Sequence, residues 1–332
     1  MNNPQFTVVV PVYNRPDEVD ELLLSLTEQT VTNFEVVVVE DGSAQPCEEI
    51  VKRYSEKLNI KYFFKPNSGP GTTRNYGAER SQGEYLIFFD SDCIIPPNYF
   101  EVVTKEVVEN PVDAFGGPDR AHESFTPVQK AINYSMTSFF TTGGIRGGKK
   151  KMDKFYPRSF NMGIASEVFK KIGGFSAMRF GEDVDLSLRI VEHGFSTRLF
   201  TEAYVYHKRR TDFKKFFKQV HNSGIARINL YLLHRNSLKL VHALPSAFVI
   251  AMLLCVAAAP FFPFALAVPV LYSAIVFVDS LLLNKSVKVA LLSVPAAWVQ
   301  LFGYGLGFLR SAWKRLVLRR GEFKAFEKNF YK

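Results

Sequence analysis

The sequence predicts an α/β domain built on a mostly parallel sheet, followed by an interfacial helix and transmembrane helices. Two patterns carry that expectation. Over the first ~90 residues, short apolar β-branched runs alternate with helix-spaced segments, as βαβ units do. From Val241 to Leu309 the composition shifts to Ala, Val, Leu, Phe and Pro, and the charge shifts with it. Residues 1–206 carry 22 basic and 28 acidic side chains, whereas residues 207–332 carry 19 and 4. The net charge of +9 on the 332-residue chain therefore belongs to the apolar half. That placement fits anionic membrane lipids as the acidic partner and argues against nucleic acid, whose binding domain should itself be basic.

Taken in order, Phe6–Val12 reads as a strand and Pro16–Gln29 as a helix through Val19, Leu22, Leu23 and Leu26. Phe34–Val39 is a second strand, Cys47–Lys57 a helix, Ile60–Phe64 a third strand and Thr72–Ser81 a helix behind a Gly/Pro-rich loop. Tyr85–Phe89 is a fourth strand. In such sheets ligands bind beyond the carboxyl ends of the strands. Polar clusters stand at three of those ends: Tyr13-Asn14, Glu40-Asp41-Gly42-Ser43 and Asp90-Ser91-Asp92. Beyond residue 95, Pro96–Val108, Ser166–Lys171 and Asp183–His193 have helical character, Ala114–Gly117 is a candidate strand, and Thr197–Tyr206 alternates as one strand would. Residues 141–151 form a basic, glycine-rich loop, a candidate lid.

The chain divides accordingly into a catalytic-type domain over 1–210, an amphipathic interfacial helix over 211–240, a transmembrane region over 241–309 and a basic tail over 310–332. Phe213, Phe216, Phe217 and Val220 fall on one helical face with Lys214, Lys215 and Lys218 between them, which suits a membrane interface. Three stretches, 242–259, 261–283 and 287–309, approach spanning length, yet the basic tail belongs on the same cytoplasmic side as the first domain and asks for an even number of crossings. Two to three spans are expected, and Pro245, Pro260, Pro263, Pro269 and Pro295 leave a re-entrant or broken helix open. Asp279, inside an apolar stretch, marks a span end or a contact to a lipid phosphate through a cation. The N-terminus lacks a charged n-region and an apolar h-region, and Cys47, Cys93 and Cys255 are odd in number and without metal spacing. The first domain is therefore expected in the cytoplasm, at the inner membrane.

Asp90-Ser91-Asp92 follows the apolar strand Tyr85–Phe89. Carboxylates there are costly unless solvated, paired or metal-bound, and hard oxygen ligands suit Mg2+ or Mn2+. Taken alone, D-x-D is also an ordinary turn. Glu182-Asp183-Val184-Asp185 opens a helix, where acids complement the helix dipole, and Asp185 fits that account. Asp183 also has the chemistry of a general base toward an acceptor hydroxyl.

Six segments together resemble family 2 glycosyltransferases with a GT-A fold: T-V-V-V-P-V-Y-N (7–14), V-V-V-V-E-D-G-S (36–43), N-S-G-P-G-T-T-R-N (67–75), F-F-D-S-D (88–92), G-I-A-S-E-V-F-K-K-I-G-G-F (163–175) and G-E-D-V-D-L-S-L-R (181–189). The likeness covers about the first 210 residues and keeps the family's order. It implies inverting, metal-dependent transfer from a nucleoside-diphosphate sugar. Carried over by position, Pro11, Tyr13 and Asp41 would hold base and ribose, and Arg74 would approach the nucleotide. Asp90, Ser91 and Asp92 would serve ribose and metal, with His207 a late metal ligand. Asp183 would be the base, Glu182 beside it would meet the acceptor, and Gly116-Gly117 would shape the loop under the donor sugar. The chain departs from the processive synthases of that family: the region where they carry a Gln…Arg-Trp signature reads Lys218-Gln219-Val220-His221-Asn222, and no tryptophan precedes Trp298.

Single-sugar transfer to a membrane-associated, lipid-linked glycan in polysaccharide biosynthesis is the expectation. The alternatives are transfer onto a polyprenyl phosphate, a non-catalytic nucleotide-sugar binder, and a nucleotidyltransferase on a similar sheet.

Overall fold

The computed structural model describes residues 4–143, 155–178 and 180–323. The elements run β1 (Phe6–Val12), α1 (Pro16–Thr27), β2 (Phe34–Asp41), α2 (Glu48–Tyr54), β3 (Ile60–Lys65), α3 (Pro70–Ala78), β4 (Tyr85–Phe89) and β5 (Cys93–Ile94). They continue with α4 (Tyr99–Glu109), β6 (Ala114–Gly116), β7 (Asp119–Arg120), α5 (Pro127–Thr137), α6 (Phe139–Thr142), β8 (Asn161–Ala165), α7 (Ser166–Ile172) and α8 (Glu182–Glu192). Last come β9 (Thr197–Leu199), β10 (Val205–His207), α9 (Phe213–Leu233), α10 (Leu244–Ala258), α11 (Ala267–Asn284) and α12 (Val287–Ala312). The chain forms two compact units. One takes the described residues of 1–120 and 151–207 with Phe323, the other those of 121–150 and 208–322.

The first unit is the expected α/β domain. Its seven-stranded sheet has the order β3-β2-β1-β4-β8-β6-β9. β3, β2, β1 and β4 are parallel neighbours, and β8 runs antiparallel between β4 and β6. β1, β2 and β4 read as unbroken apolar runs because helices cover both of their faces, and Val8, Val9, Val10, Val36, Val37 and Val38 are all fully buried. The parallel register sets Pro11 opposite Val39 and Val12 opposite Glu40, so the polar ends of β1 and β2 share one edge.

A second sheet, β5-β10-β7, was not legible as such. The single strand expected over Thr197–Tyr206 is instead β9 and β10, which belong to different sheets. The amide of Ala203 donates to the carbonyl of Phe200 and closes a turn, and the chain then pairs with β5 and β7. The candidate lid lies outside the described residues beyond Gly143, as does the tail beyond Phe323.

The second unit is helical. Ala131, Ile132 and Met136 of α5 form a core with Phe216 and Val220 of α9 and with Val289 and Ala296 of α12. Among the described residues, two helical segments are long and apolar enough to cross a membrane, Pro263–Asn284 and Val287–Val317, while Leu244–Ala258 is shorter. Asp279 sits near the end of α11 and accepts hydrogen bonds from the Tyr134 hydroxyl (2.6 Å) and the Ser138 hydroxyl (3.3 Å).

Candidate active site

The ten residues assigned to donor, metal or catalysis all fall in the α/β unit, at the carboxyl ends of its strands or on helices that follow them. Asp41 ends β2 and is 2% exposed. Its carboxylate accepts from the amides of Ser68 (2.8 Å) and Gly69 (2.9 Å), from Asn67 Nδ2 (3.2 Å), and from the Lys65 ammonium, whose side chain is itself nearly buried. Asp41 therefore latches the loop between β3 and α3. Pro11 and Tyr13 are partly exposed at the adjacent end of β1. Asn14, at φ 52°, accepts from the amides of Ala44 and Gln45 and so ties that end to the loop after β2.

Arg74 lies on α3 and is 3% exposed. Its guanidinium reaches Asp90 Oδ1 with Nη2 (2.6 Å) and Glu182 Oε1 with Nη1 (3.2 Å). One buried cation thus spans two acids 92 positions apart in sequence, Asp90 and Glu182. Asn75, the next residue, clamps Phe175 from both sides: its Nδ2 donates to the Phe175 carbonyl and its Oδ1 accepts from the Phe175 amide, each at 2.8 Å. The Gly173-Gly174-Phe175 turn is thereby held to α3, and the segment leading to α8 is carried with it.

α8 begins directly after Gly181, whose φ of 84° is a left-handed conformation that glycine adopts without strain. Glu182, Asp183 and Asp185 fill the first turn, where the helix dipole favours negative charge. Asp185 is absorbed structurally by Arg189 at 2.8 Å, and Arg189 also donates to the carbonyls of Ile172 and Gly174. Glu182 and Asp183 are 8% exposed each. Burial, then the adjacent Asp183 charge, push Glu182 up to about 7 against the pull of Arg74. For Asp183, burial works upward but the Arg158 guanidinium prevails and holds the carboxyl below its ordinary value. Arg158 Nε donates to Asp183 Oδ2 at 2.6 Å, and the Val184 amide donates to Oδ1 at 2.8 Å. Sequence reasoning missed Arg158. It stands alone in Tyr156-Pro157-Arg158-Ser159-Phe160, a stretch without periodicity or motif.

Asp90, Ser91 and Asp92 turn the chain from β4 into β5. The small sheet completes the cluster. Its register pairs His207 with Cys93, so the imidazole lies beside the aspartates. His207 Nε2 is 3.1 Å from Asp92 Oδ1 and 3.9 Å from Asp90 Oδ2, and the ring stacks on Phe160 at 4.9 Å. One ligand atom each from Asp92, Cys93 and His207 lies within 4.8 Å of the others. Burial drives the Cys93 thiol well above its ordinary range, and a soft sulfur donor suits neither Mg2+ nor Mn2+. Asp92 and His207 remain, with Asp90 Oδ2 3.9 Å from the imidazole, and these hard to borderline donors fit Mg2+ or Mn2+. Gly116 ends β6 and pairs with Met162 of β8, with Gly117 following it.

The family model described as Glycosyl transferase family 2 matches residues 7–179. An uncharacterized glycosyltransferase of Rickettsia bellii is 37% identical over 110 residues, covering 33% of this chain and 16% of that protein. An uncharacterized glycosyltransferase of Haemophilus influenzae is 33% identical over 194 residues, covering 56% of this chain and 62% of that protein. The match thus spans less than two thirds of either relative. Among solved structures, the mannosyltransferase PcManGT from Pyrobaculum calidifontis, in complex with GDP-Man and Mn2+, superposes with a TM-score of 0.66 at 17% identity, over 95% of this chain and 89% of that one. At that identity the likeness speaks for the fold, and it shows the GT-A architecture.

Proposed function

Because the chain belongs to glycosyl transferase family 2, we propose that its α/β unit moves one sugar from a nucleoside-diphosphate sugar to a membrane-associated acceptor, with inversion. The observation that carries this reading is the pair of acidic groups around Arg74. Asp90 and Asp92 stand with His207 on one side, and Glu182 and Asp183 stand at the start of α8 on the other. By analogy with the separated carboxylates of inverting hydrolases, one group would serve the departing phosphate and the other the incoming hydroxyl.

Asp90, Asp92 and His207 would hold Mg2+ or Mn2+, which supplies Lewis acidity toward the leaving diphosphate. PcManGT is solved with GDP-Man and Mn2+, and a donor and ion of that chemistry are proposed for this chain. Pro11, Tyr13 and the Asp41-latched loop line the nucleotide side, with Ser91 near the ribose. Arg74 keeps Asp90 and Glu182 in place and tempers their mutual repulsion. Asp183, ionised under the influence of Arg158, takes the proton of the acceptor hydroxyl as that oxygen attacks the anomeric carbon. Glu182, pushed up to about 7 and so present in both protonation states near neutrality, donates to or accepts from the acceptor.

The apolar, basic helical unit supports a location at the cytoplasmic face of the inner membrane, with a lipid-linked acceptor. The deciding experiment measures nucleoside-diphosphate release from a panel of sugar nucleotides by membranes carrying the chain, with and without EDTA and a lipid extract. Release that depends on divalent metal, on lipid and on both Asp92 and Asp183 supports the reading. Turnover that survives Asp183→Asn favours an already ionised acceptor such as a polyprenyl phosphate. Donor binding without turnover under any condition refutes transfer.

A further inference from the structure

Resting on the membrane reading above, we propose that the helical unit enters the bilayer from one face without crossing it. In this arrangement α10 and α11 dip into the hydrocarbon as a re-entrant hairpin, and α12 lies in the interface as part of a platform with α5 and α9.

The packing of α12 carries the first half of the argument. A Cβ on Gly303 would meet the Val220 side chain at 2.4 Å, one on Gly307 the His221 carbonyl oxygen at 2.1 Å, and one on Gly224 the Tyr304 carbonyl oxygen at 2.2 Å. Ser311 Oγ donates to the Ile225 carbonyl at 3.3 Å. Contacts that advance together along both chains mean that α9 and the C-terminal half of α12 run parallel with backbones nearly touching. α9 carries Lys214, Lys215 and Lys218, all exposed, one turn before that contact. Were α12 upright in the bilayer, those ammonium groups would enter the hydrocarbon beside it, a costly placement. The N-terminal half of α12 is flanked by α5, which carries Gln129, Lys130 and Asn133, the last accepting from the Arg209 guanidinium. Polar companions along both halves keep α12 at headgroup level. Protein buries 44% of its apolar stretch, against 11% for Pro263–Asn284.

The hairpin carries the second half. Residues 244–278 contain no Lys, Arg, Asp or Glu. α10 has 15 residues, which gives about 22 Å at 1.5 Å per residue. Asp279, bonded to Tyr134 of the platform, fixes the other end. From Val278 back to Pro263 is about 24 Å by the same rise. Both arms fall short of a hydrocarbon core roughly 30 Å thick. The tip between them is Pro260-Phe261-Phe262-Pro263-Phe264, with Phe261 92% and Phe264 77% exposed and no charged residue to seek far-side water. Every basic flank, at Lys239, Lys285, Lys288 and Arg310, then lies at a single face. The parity conflict between three apolar stretches and one cytoplasmic tail disappears, since the number of crossings is zero.

The test places single cysteines in a Cys255→Ala background that leaves buried Cys47 and Cys93 in place. Lys105→Cys, Phe261→Cys and Gly321→Cys are each exposed to a membrane-impermeant maleimide in sealed vesicles of both orientations. Lys105→Cys and Gly321→Cys are expected to label from the same face, and Phe261→Cys from neither until detergent is added. Labelling of Gly321→Cys from the face opposite Lys105→Cys means that the unit crosses, and the proposal falls. Labelling of Phe261→Cys from the opposite face means that the hairpin spans. Labelling from its own face, in a chain that still resists a high-salt wash, means that the hairpin is not inserted, and either result overturns the proposal. A chain removed by the wash, with Phe261→Cys freely labelled, refutes membrane residence itself.

Discussion

Two groups of acids sit at the carboxyl edge of one sheet and are treated in opposite ways. Asp41 is surrounded by donors: two backbone amides, a carboxamide and a buried ammonium. Asp90, Glu182 and Asp183 are held by two guanidiniums, Arg74 and Arg158, and Glu182 has no cation to itself. A carboxylate whose lone pairs are filled by its own fold has little left for chemistry and serves as a latch. Acids crowded around too few cations keep unspent charge, and their proton affinities are pushed apart, Glu182 upward and Asp183 downward. Such divergence between neighbours is how a fold separates acid from base.

The largest expected effect falls on the second group. Asp183→Asn should lower the rate of nucleoside-diphosphate release by about 10²–10⁴, the usual loss on removing a general base. Arg158→Ala should act through Asp183. Without the guanidinium the carboxyl titrates higher, so the acid limb of the pH–rate profile should move up and neutral-pH turnover drop about tenfold, or ~1.4 kcal/mol in barrier. A profile that falls uniformly with no displaced limb would mean that Arg158 only props the loop.

Asp41→Asn should show the reverse signature. It leaves Lys65 without its counter-charge in a site where that side chain is 10% exposed, and breaking a buried pair costs about 3–5 kcal/mol. Thermal unfolding should register the loss, and in protein that remains folded kcat should change far less than for Asp183→Asn. If instead the variant melts like wild type and only the donor KM rises, Asp41 touches the nucleotide and the contrast between latch and site dissolves.

How much of this was legible in the sequence depends on where each residue finds its partners. β1, β2 and β4 were readable because strands covered on both faces must be continuously apolar, and Val8–Val10, Val36–Val39 and Ile87–Phe89 satisfy that by themselves. β8 was not, for its Asn161 and Gly163 have low strand propensity. Asn161 is fixed by the Tyr99 hydroxyl and the Ala203 carbonyl, 62 and 42 residues away. His207 entered the expectation through family resemblance. Its physical reason, pairing with Cys93 in a three-stranded sheet, is non-local. Arg158 left no local signal, since what defines it is a distance to Asp183.

The smallest expected effect concerns Glu182, and it separates the two groups by stability alone. A glutamate in the unfolded chain titrates near 4.3, whereas burial and the Asp183 charge push Glu182 up to about 7 in the fold. Between those values the folded protein binds more protons than the unfolded one, so Glu182 draws stability out of the fold as pH climbs from about 4.3 toward 7. Glu182→Gln removes that titration. The variant should melt close to wild type near pH 5 and a few degrees above it at pH 8, given about 2–4 °C per kcal/mol for a domain of this size. Asp41→Asn, which breaks a buried ion pair, should give no such pH-dependent gain. A Gln variant that gains nothing at pH 8, or gains equally at pH 5, would mean that Arg74 fully compensates Glu182. The two acidic groups would then differ in their number of partners and no longer in unspent charge.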